Sequence, residues 1–317
     1  NVHTITIEPA PQVVTPGQNI TICEGGNINP LYVQPNGPGN LSYQWYLDGS
    51  VINGANNATY NPDNTLIGIT EYTCEVTFSS GGCNTVLSDI IIITIEQDPS
   101  VTNLSPAYQT ICEEGSIANP LEALSSGGVG NISYQWQEVN APNITLGTNA
   151  NFNPGILSVS GIYEYTVTIN YDGEGCDAIT SSIAQIEVVD DPTTNPILST
   201  QTVCEQILPS STTLQVTGVN GGISTTYNYQ WYQISFPSDI PVGTNSPDFQ
   251  PPTNNTGTYQ YYCIVSNNPT SAGCEYTTNV HTITIEPAPQ VVTPGQNITI
   301  CEGGNINPLY VQPNGPG

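Results

Sequence analysis

The chain has 317 residues with no Lys, Arg or Met, and its 26 Asp and Glu leave a net charge of −26. An average protein of this length would carry on the order of 35 basic residues. The missing cationic footprint excludes binding to nucleic acid or to an anionic membrane surface, and the missing ε-amine excludes lysine isopeptide cross-links. The longest apolar run, Ile90–Ile93 continuing through Thr94 to Ile95, is far too short to cross a bilayer, so no membrane insertion is expected. Neither the basic n-region nor the cleavage site of a signal peptide is found.

Pro and Gly are frequent, and Val, Ile, Thr and Tyr dominate the alternating stretches, which predicts an all-β chain. Taken in order, the first ninety residues read as strands at Asn19–Ile22, Ile28–Val33 after a Glu24-Gly25-Gly26 turn, and Leu41–Leu47 ended by Asp48-Gly49. Thr70–Phe78 follows a polar stretch, and Val86–Glu96 is predicted as one long last strand. Alternation puts Tyr72, Cys74, Val76 and Phe78 on one face, the expected core face. Short strands about ten residues apart, a Trp on the third strand and a Tyr two residues before an inward Cys predict a two-sheet, immunoglobulin-like sandwich.

The same succession recurs. "SYQWYLDG", "SYQWQEVN" and "NYQWYQIS" place Trp45, Trp136 and Trp231 at spacings of 91 and 95 residues, and "TICEGG", "TICEEG" and "TVCEQI" keep step at Cys23, Cys112 and Cys204. Residues 1–39 then return letter for letter as 279–317, a period of 278 residues. Proline-marked junctions divide the chain into an Ig-like domain at 11–98, a second at 99–191 and a third at 192–288. Residues 1–10 are expected to be the last strand of a preceding domain and 289–317 the start of the next copy of the first. The fold expected is therefore tandem Ig-like β-sandwiches in a rod or filament, joined by short, Pro-stiffened linkers.

The combination "TIC-E-G", "YQW", "G-x-Y-x-Y-T" and "GC" resembles the immunoglobulin-like repeats of giant extracellular surface proteins of Bacteroidota, including gliding-motility adhesins exported by the type IX pathway. The resemblance covers the chain three times over. It implies a non-catalytic fibre or adhesin at the cell surface. Homology also implies disulfides Cys23–Cys83 and Cys204–Cys274, with Cys112–Cys176 in the middle domain, where no other cysteines occur. Each would close roughly 60–70 residues and contribute on the order of 4 kcal/mol. Cys74 and Cys263 align with Val167 and are either buried apolar filler or partners of the first-strand cysteines, an arrangement that would free a later cysteine to bridge neighbours.

Catalytic constellations are missing. The one histidine of the period, His3 repeated as His281, reads as a half-exposed sheet residue, and no paired Cys-x-x-Cys suggests zinc. The turn carboxylates Glu24, Glu113, Glu114 and Glu205 read as solvated edges and not as a hydrolytic pair. No enzyme activity and no cofactor are expected. Asp98, Asp190 and Asp191 are the residues an interdomain calcium would use, but the third junction has no Asp, and proline linkers with solubilising charge are the preferred reading of the junctions. Among the Asn-x-Ser/Thr sequons, Asn40 and Asn131 occupy matching positions before the third strand and are the best glycosylation candidates. The expected partners are further copies of the repeat, and glycans or other cell surfaces. The reading is an extracellular filament or surface fibre working by self-assembly and adhesion. The alternative is a carbohydrate- or receptor-binding module, best sought in the long loops "VNGGISTTYN" and "SFPSDIPVG" of the third domain.

Overall fold

The computed structural model describes residues 3, 10–37, 39–79, 85–206, 212–268, 272–292, 299–305, 308 and 312–314. It is a β-protein that divides into two compact units. The first comprises Asn1–Ala107, Pro120–Phe152 and Glu164–Ala184, the second Tyr108–Asn119, Asn153–Tyr163 and Gln185–Gly317.

In the first unit one sheet runs Ile20–Cys23, Ile91–Glu96, Gly68–Phe78, Leu41–Leu47, Ser50–Val51, with Thr85–Leu87 also paired to Gly68–Phe78. Alternation delivers Tyr72, Cys74, Val76 and Phe78 to the same core as Trp45, Ile91, Ile93 and Ile95. Val13 and Leu31 complete that core from the short pairs Gln12–Val14 with Gln34–Asn36 and Leu31–Tyr32 with Thr59–Tyr60. Ile132–Glu138 and Gly161–Tyr171 repeat the central antiparallel pair with Trp136 opposite Val167. In the second unit the order is Thr200–Cys204, His281–Glu286, Gly257–Ser266, Asn228–Gln233, Ile240–Val242.

Each of the three tryptophans is fully buried, and each indole N–H donates to a carbonyl: Trp45 to Asn57 at 2.9 Å, Trp136 to Asn149 at 2.8 Å and Trp231 to Ser246 at 3.1 Å. A buried indole donor left unpaired would forfeit much of its packing gain. Each tryptophan stacks on a ring that meets the strand tyrosine in turn, as in Trp45, Tyr60 and Tyr72 or Trp231, Phe249 and Tyr261.

Three sequence expectations are corrected. The single strand Val86–Glu96 is two, Thr85–Leu87 and Ile91–Glu96. Ser88 causes the break, because its hydroxyl takes the Cys74 N–H at 2.9 Å and donates to the Asp89 carbonyl at 2.9 Å. Ser181 does the same for Val167 and Thr278 for Cys263, so a buried hydroxyl substitutes for a ladder carbonyl three times. The strand expected at Ile28–Val33 shrinks to Leu31–Tyr32, since Pro30 offers no N–H to a ladder. His281 is not half-exposed but fully buried, because it shares the inward face of its strand, flanked by Thr200–Cys204 and Gly257–Ser266, with Ile283 and Ile285. Its Nδ1 bonds the Leu198 carbonyl while Nε2 has no partner. The strand expected at residues 1–10 lies outside the described residues except for His3 and Ala10. At the other end, Gln290–Val292 pairs with Gln312–Asn314 as Gln12–Val14 pairs with Gln34–Asn36.

Candidate functional site: the cysteine staples

The first strand of each sandwich lies parallel to the last, with Cys23 opposite Glu96, Cys112 opposite Val189 and Cys204 opposite Glu286. Parallel pairing brings the end of the first strand to the end of the last, where the chain leaves for the next sandwich. The first-strand cysteine is thus carried to the downstream end. The later cysteine has the opposite fate. Gly257–Ser266 runs antiparallel to His281–Glu286, with Tyr261 opposite His281 and Gly257 opposite Ile285. The loop after it, which holds Cys274, therefore sits at the upstream end.

The two kinds of cysteine meet across the junctions. Cys23 bonds Cys176, 153 residues away, and Cys112 bonds Cys274, 162 residues away, each with Cα atoms 5.0 Å apart. That separation lies within the ordinary range for a disulfide. Each bond joins one sandwich to the following one and lies inside one of the two compact units.

Bare backbone accompanies each bond. A Cβ on Gly26 would come within 2.8 Å of the Glu174 carbonyl oxygen, and one on Gly115 within 2.0 Å of the Ala272 oxygen. From the other side, a Cβ on Gly175 would lie 2.4 Å from Gly26 Cα and one on Gly273 2.6 Å from Gly115 Cα. The Cys23 N–H also donates to the Glu174 carbonyl at 2.9 Å. The linkers are pinned as well: the Gly128 N–H donates to the Gln97 carbonyl at 2.9 Å and the Gly222 N–H to the Asp190 carbonyl at 3.1 Å.

These pairings overturn those expected within single domains. Cys112 and Cys176 are not joined to each other, nor Cys204 to Cys274, nor Cys23 to Cys83, because the parallel first strand puts the two cysteines of one sandwich at opposite ends. Cys204 is an unpaired, half-buried thiol and Cys301 an unpaired exposed one, while Cys83 lies outside the described residues. Cys74 and Cys263 are fully buried thiols beneath Trp45 and Trp231, and desolvation pushes them up to about 11 and about 12 respectively. They take no part in the staples.

Among the described residues no group of three or more His, Cys, Asp or Glu converges to hold a metal. Asp98 Oδ1 and Asp191 Oδ1 are buried without a hydrogen-bond partner, and Asp190 supplies its carbonyl to Gly222. Burial, then Glu113, Glu114, Asp190 and Glu275, raises the Asp191 carboxyl above its ordinary value. Asn40 and Asn131 are both exposed. The Asn131 side chain donates to Asp172 Oδ2 at 2.9 Å and its backbone N–H to Oδ1 at 2.6 Å, which lowers the Asp172 carboxyl. In the loop singled out in the third repeat Phe236 is 97% exposed. On the sheet of this repeat Tyr232 stacks on Tyr262 at 5.3 Å, and the Tyr262 hydroxyl donates to Asp239 of the same loop at 2.9 Å.

A family model described as a domain of unknown function (DUF8696) matches residues 13–97. Over 117 residues the chain is 26% identical to the highly immunogenic outer capsid protein of Enterobacteria phage T4, a match covering 35% of this chain and 31% of that protein. The match thus spans about a third of the relative's length. Among solved structures, the three N-terminal domains of the bacteriophage RB49 outer capsid protein Hoc align over 88% of this chain and 98% of that one, with 15% identity and a TM-score of 0.50. Sidekick-1 immunoglobulin domains 1–5 align over 88% and 60%, with 16% identity and a TM-score of 0.47. These similar proteins are structural capsid and Ig-domain proteins and not enzymes. The likeness to the RB49 structure shows the fold of this chain: tandem Ig-like β-sandwiches.

Proposed function

We propose that this chain is a repeating segment of an extracellular filament or surface fibre, acting by self-assembly and adhesion without catalysis. In this reading its domains are 11–98, 99–191 and 192–288, residues 1–10 belong to a preceding sandwich, and 289–317 begin the next copy. The observation that carries it is the combination of the letter-perfect 39-residue return with staples that join one sandwich to the next. A protein acting through one cleft has no use for either. The outer-capsid location of the phage T4 relative supports placement on a surface, and the motifs shared with Bacteroidota fibres support kinship with type IX-exported adhesins. Further copies of the repeat are the proposed partners, with glycans at Asn40 and Asn131 as the proposed decoration.

The test is the mass of the native polypeptide after denaturation, reduction and glycan removal, read beside electron micrographs of the native material. Filaments built from chains far above 33.7 kDa, or from chains near one period that assemble, agree with the proposal. Dispersed single particles that form no filament at any concentration overturn it. One observation favours the carbohydrate- or receptor-binding alternative, namely the exposed Phe236 in a loop whose Asp239 holds the hydroxyl of Tyr262 in the Tyr232–Tyr262 stack. Aromatic faces of this kind suit stacking on a sugar ring. Glycan-array binding lost in Phe236→Ala would establish that role, and binding unchanged by it would remove it.

A further inference from the structure

Cys301 repeats Cys23, so one period holds eight distinct cysteines. Four are joined in the two staples and two, Cys74 and Cys263, are sealed in cores. That leaves Cys204 and Cys83. We infer that Cys204 forms a third staple, with the cysteine that stands in the position of Cys83 in the copy of the repeat following residue 288. The partner is thus a second copy of this sequence, and the inference rests on the fibre reading above.

The turn that presents Cys204 is built as the two stapled turns are. After Cys23, the Glu24 N–H donates to Glu96 and the Gly25 N–H to Asn64; after Cys112, the Glu113 N–H donates to Val189 and the Glu114 N–H to Leu157. After Cys204, the Glu205 N–H donates to Glu286 at 2.7 Å and the Gln206 N–H to Thr253 at 2.9 Å. Gly25, Glu114 and Gln206 all have left-handed backbones, with φ of 78°, 57° and 61°. A non-glycine residue held there twice marks a conformation imposed by its surroundings. In its own sandwich Cys204 has no thiol to take, since Cys274 is bound to Cys112 and Cys263 lies under Trp231. On the partner side, Gly82-Cys83 repeats Gly175-Cys176 and Gly273-Cys274 in sequence. One residue departs from the pattern: Ile207 follows Gln206 where the other two turns have Gly26 and Gly115. Ile207 lies outside the described residues.

Forming the bond removes two protons and two electrons, so it needs a disulfide donor of the dithiol–disulfide oxidase class. The Cys204 thiolate attacks one donor sulfur and breaks the donor S–S bond, giving a mixed disulfide. The partner thiolate then attacks the Cys204 sulfur and releases the donor as a dithiol, which takes up the two protons that the thiols shed.

The test uses native material alkylated with iodoacetamide before any reduction and then cleaved at Asp, Glu and aromatic residues, because trypsin has no site. Unreduced peptides are identified by mass. A Cys204 peptide joined to a Cys83 peptide is expected, beside Cys23–Cys176 and Cys112–Cys274. Alkylated Cys204, or Cys204 joined to Cys274 or Cys263, overturns the inference. The fibre reading is judged separately by micrographs of the same material: filaments with alkylated Cys204 sink the staple alone, and dispersed particles sink both. Where the cross-link is found, reduction to chains of one period identifies the second copy as a separate subunit, and an unchanged long chain places it in the same polypeptide. Both results support the staple.

Discussion

Gly115→Ala separates the geometry of a staple from the mere presence of its cysteines. Gly115 does not have a left-handed backbone, so alanine there meets no intrinsic strain. The obstacle is purely steric, since the new methyl carbon would lie 2.0 Å from the Ala272 oxygen and 2.5 Å from its carbonyl carbon, both main-chain atoms. Ordinary contact needs about 3.4 Å or more, so the facing loop must retreat by more than an ångström. That loop carries Cys274, whose Cα is 5.0 Å from that of Cys112, and disulfides tolerate little beyond about 6.8 Å. The bond closes a separation of 162 residues, for which chain entropy gives about 5 kcal/mol. We expect the variant to hold the two Cα atoms near that limit, to lose the bond at a lower concentration of reducing thiol than the parent, and to unfold at lower denaturant. The control is Gly54→Ala, at φ 83° with open space around it, which should lose stability through backbone strain alone and lose the bond at the parent's thiol concentration. A Cys112–Cys274 bond as resistant to thiol as the parent's, with unchanged unfolding in Gly115→Ala, would refute the argument.

Ser88→Ala leaves the buried Cys74 N–H without its acceptor and should cost about 1–3 kcal/mol in denaturant unfolding, whereas Ser88→Thr, the residue found at Thr278, should retain most of it. Cys74→Val copies the middle sandwich, where Val167 faces Trp136 as Cys74 faces Trp45, and should leave the thermal midpoint nearly unchanged; in the parent chain Cys74 and Cys263 should resist alkylation at pH 8 until unfolding. Asp191→Asn should change the pH dependence of unfolding. The raised Asp191 carboxyl penalises the folded state once ionised, so its penalty is relieved as pH falls from the folded value towards the unfolded one. The parent should therefore gain on the variant as pH falls through that window, and parallel curves would remove Asp191 as the cause. Asp63 and Asp172 are lowered and work in the opposite sense, so the difference between parent and variant, not the total profile, is the readout.

The sandwich was legible because its signals are local. Trp45, Trp136 and Trp231 with their alternating neighbours record which face is buried, and Asp48-Gly49 marks a turn by backbone preference alone. Ser88 was harder, since a serine amid Val, Leu and Ile looks like one polar residue in a continuous strand, and only the Cys74 N–H that its hydroxyl accepts explains the break. His281 misled because its alternation fits either face, and the strand that covers its other edge starts some eighty residues earlier. The staples were hidden for a related reason. Spacing shows that Cys23 and Cys83 flank one sandwich but not which end each occupies, and that depends on the first strand lying parallel to the last. The glycines before Cys176 and Cys274 were the available signal, a small residue kept beside a cysteine where another backbone must approach.

Staples between sandwiches change what happens under load. Cys23 and Cys274 are about 250 residues apart along the chain, and at roughly 3.5 Å per residue that is about 880 Å of fully extended polypeptide. With both bonds in place the covalent route runs from Cys23 across to Cys176, back along the chain to Cys112 and across to Cys274, about 64 residues or roughly 220 Å. Disulfides within single sandwiches would leave only the stretches from Cys83 to Cys112 and from Cys176 to Cys204, about 57 residues or roughly 200 Å, so the total release separates oxidised from reduced chains and the Cys204→Ser variant separates the two pairings. Pulling single molecules held at Cys-free handles beyond residues 1 and 317 measures this directly. Between these cysteines the oxidised chain should release no more than about 220 Å of contour before the record stiffens, and after reduction about four times as much. Equal release in the two states would show that the bonds do not bridge successive sandwiches. Cys204→Ser should leave the oxidised release of the stapled chain unchanged, since neither bond uses that thiol; a gain of about 70 residues, roughly 245 Å, would restore the pairings that spacing alone suggests.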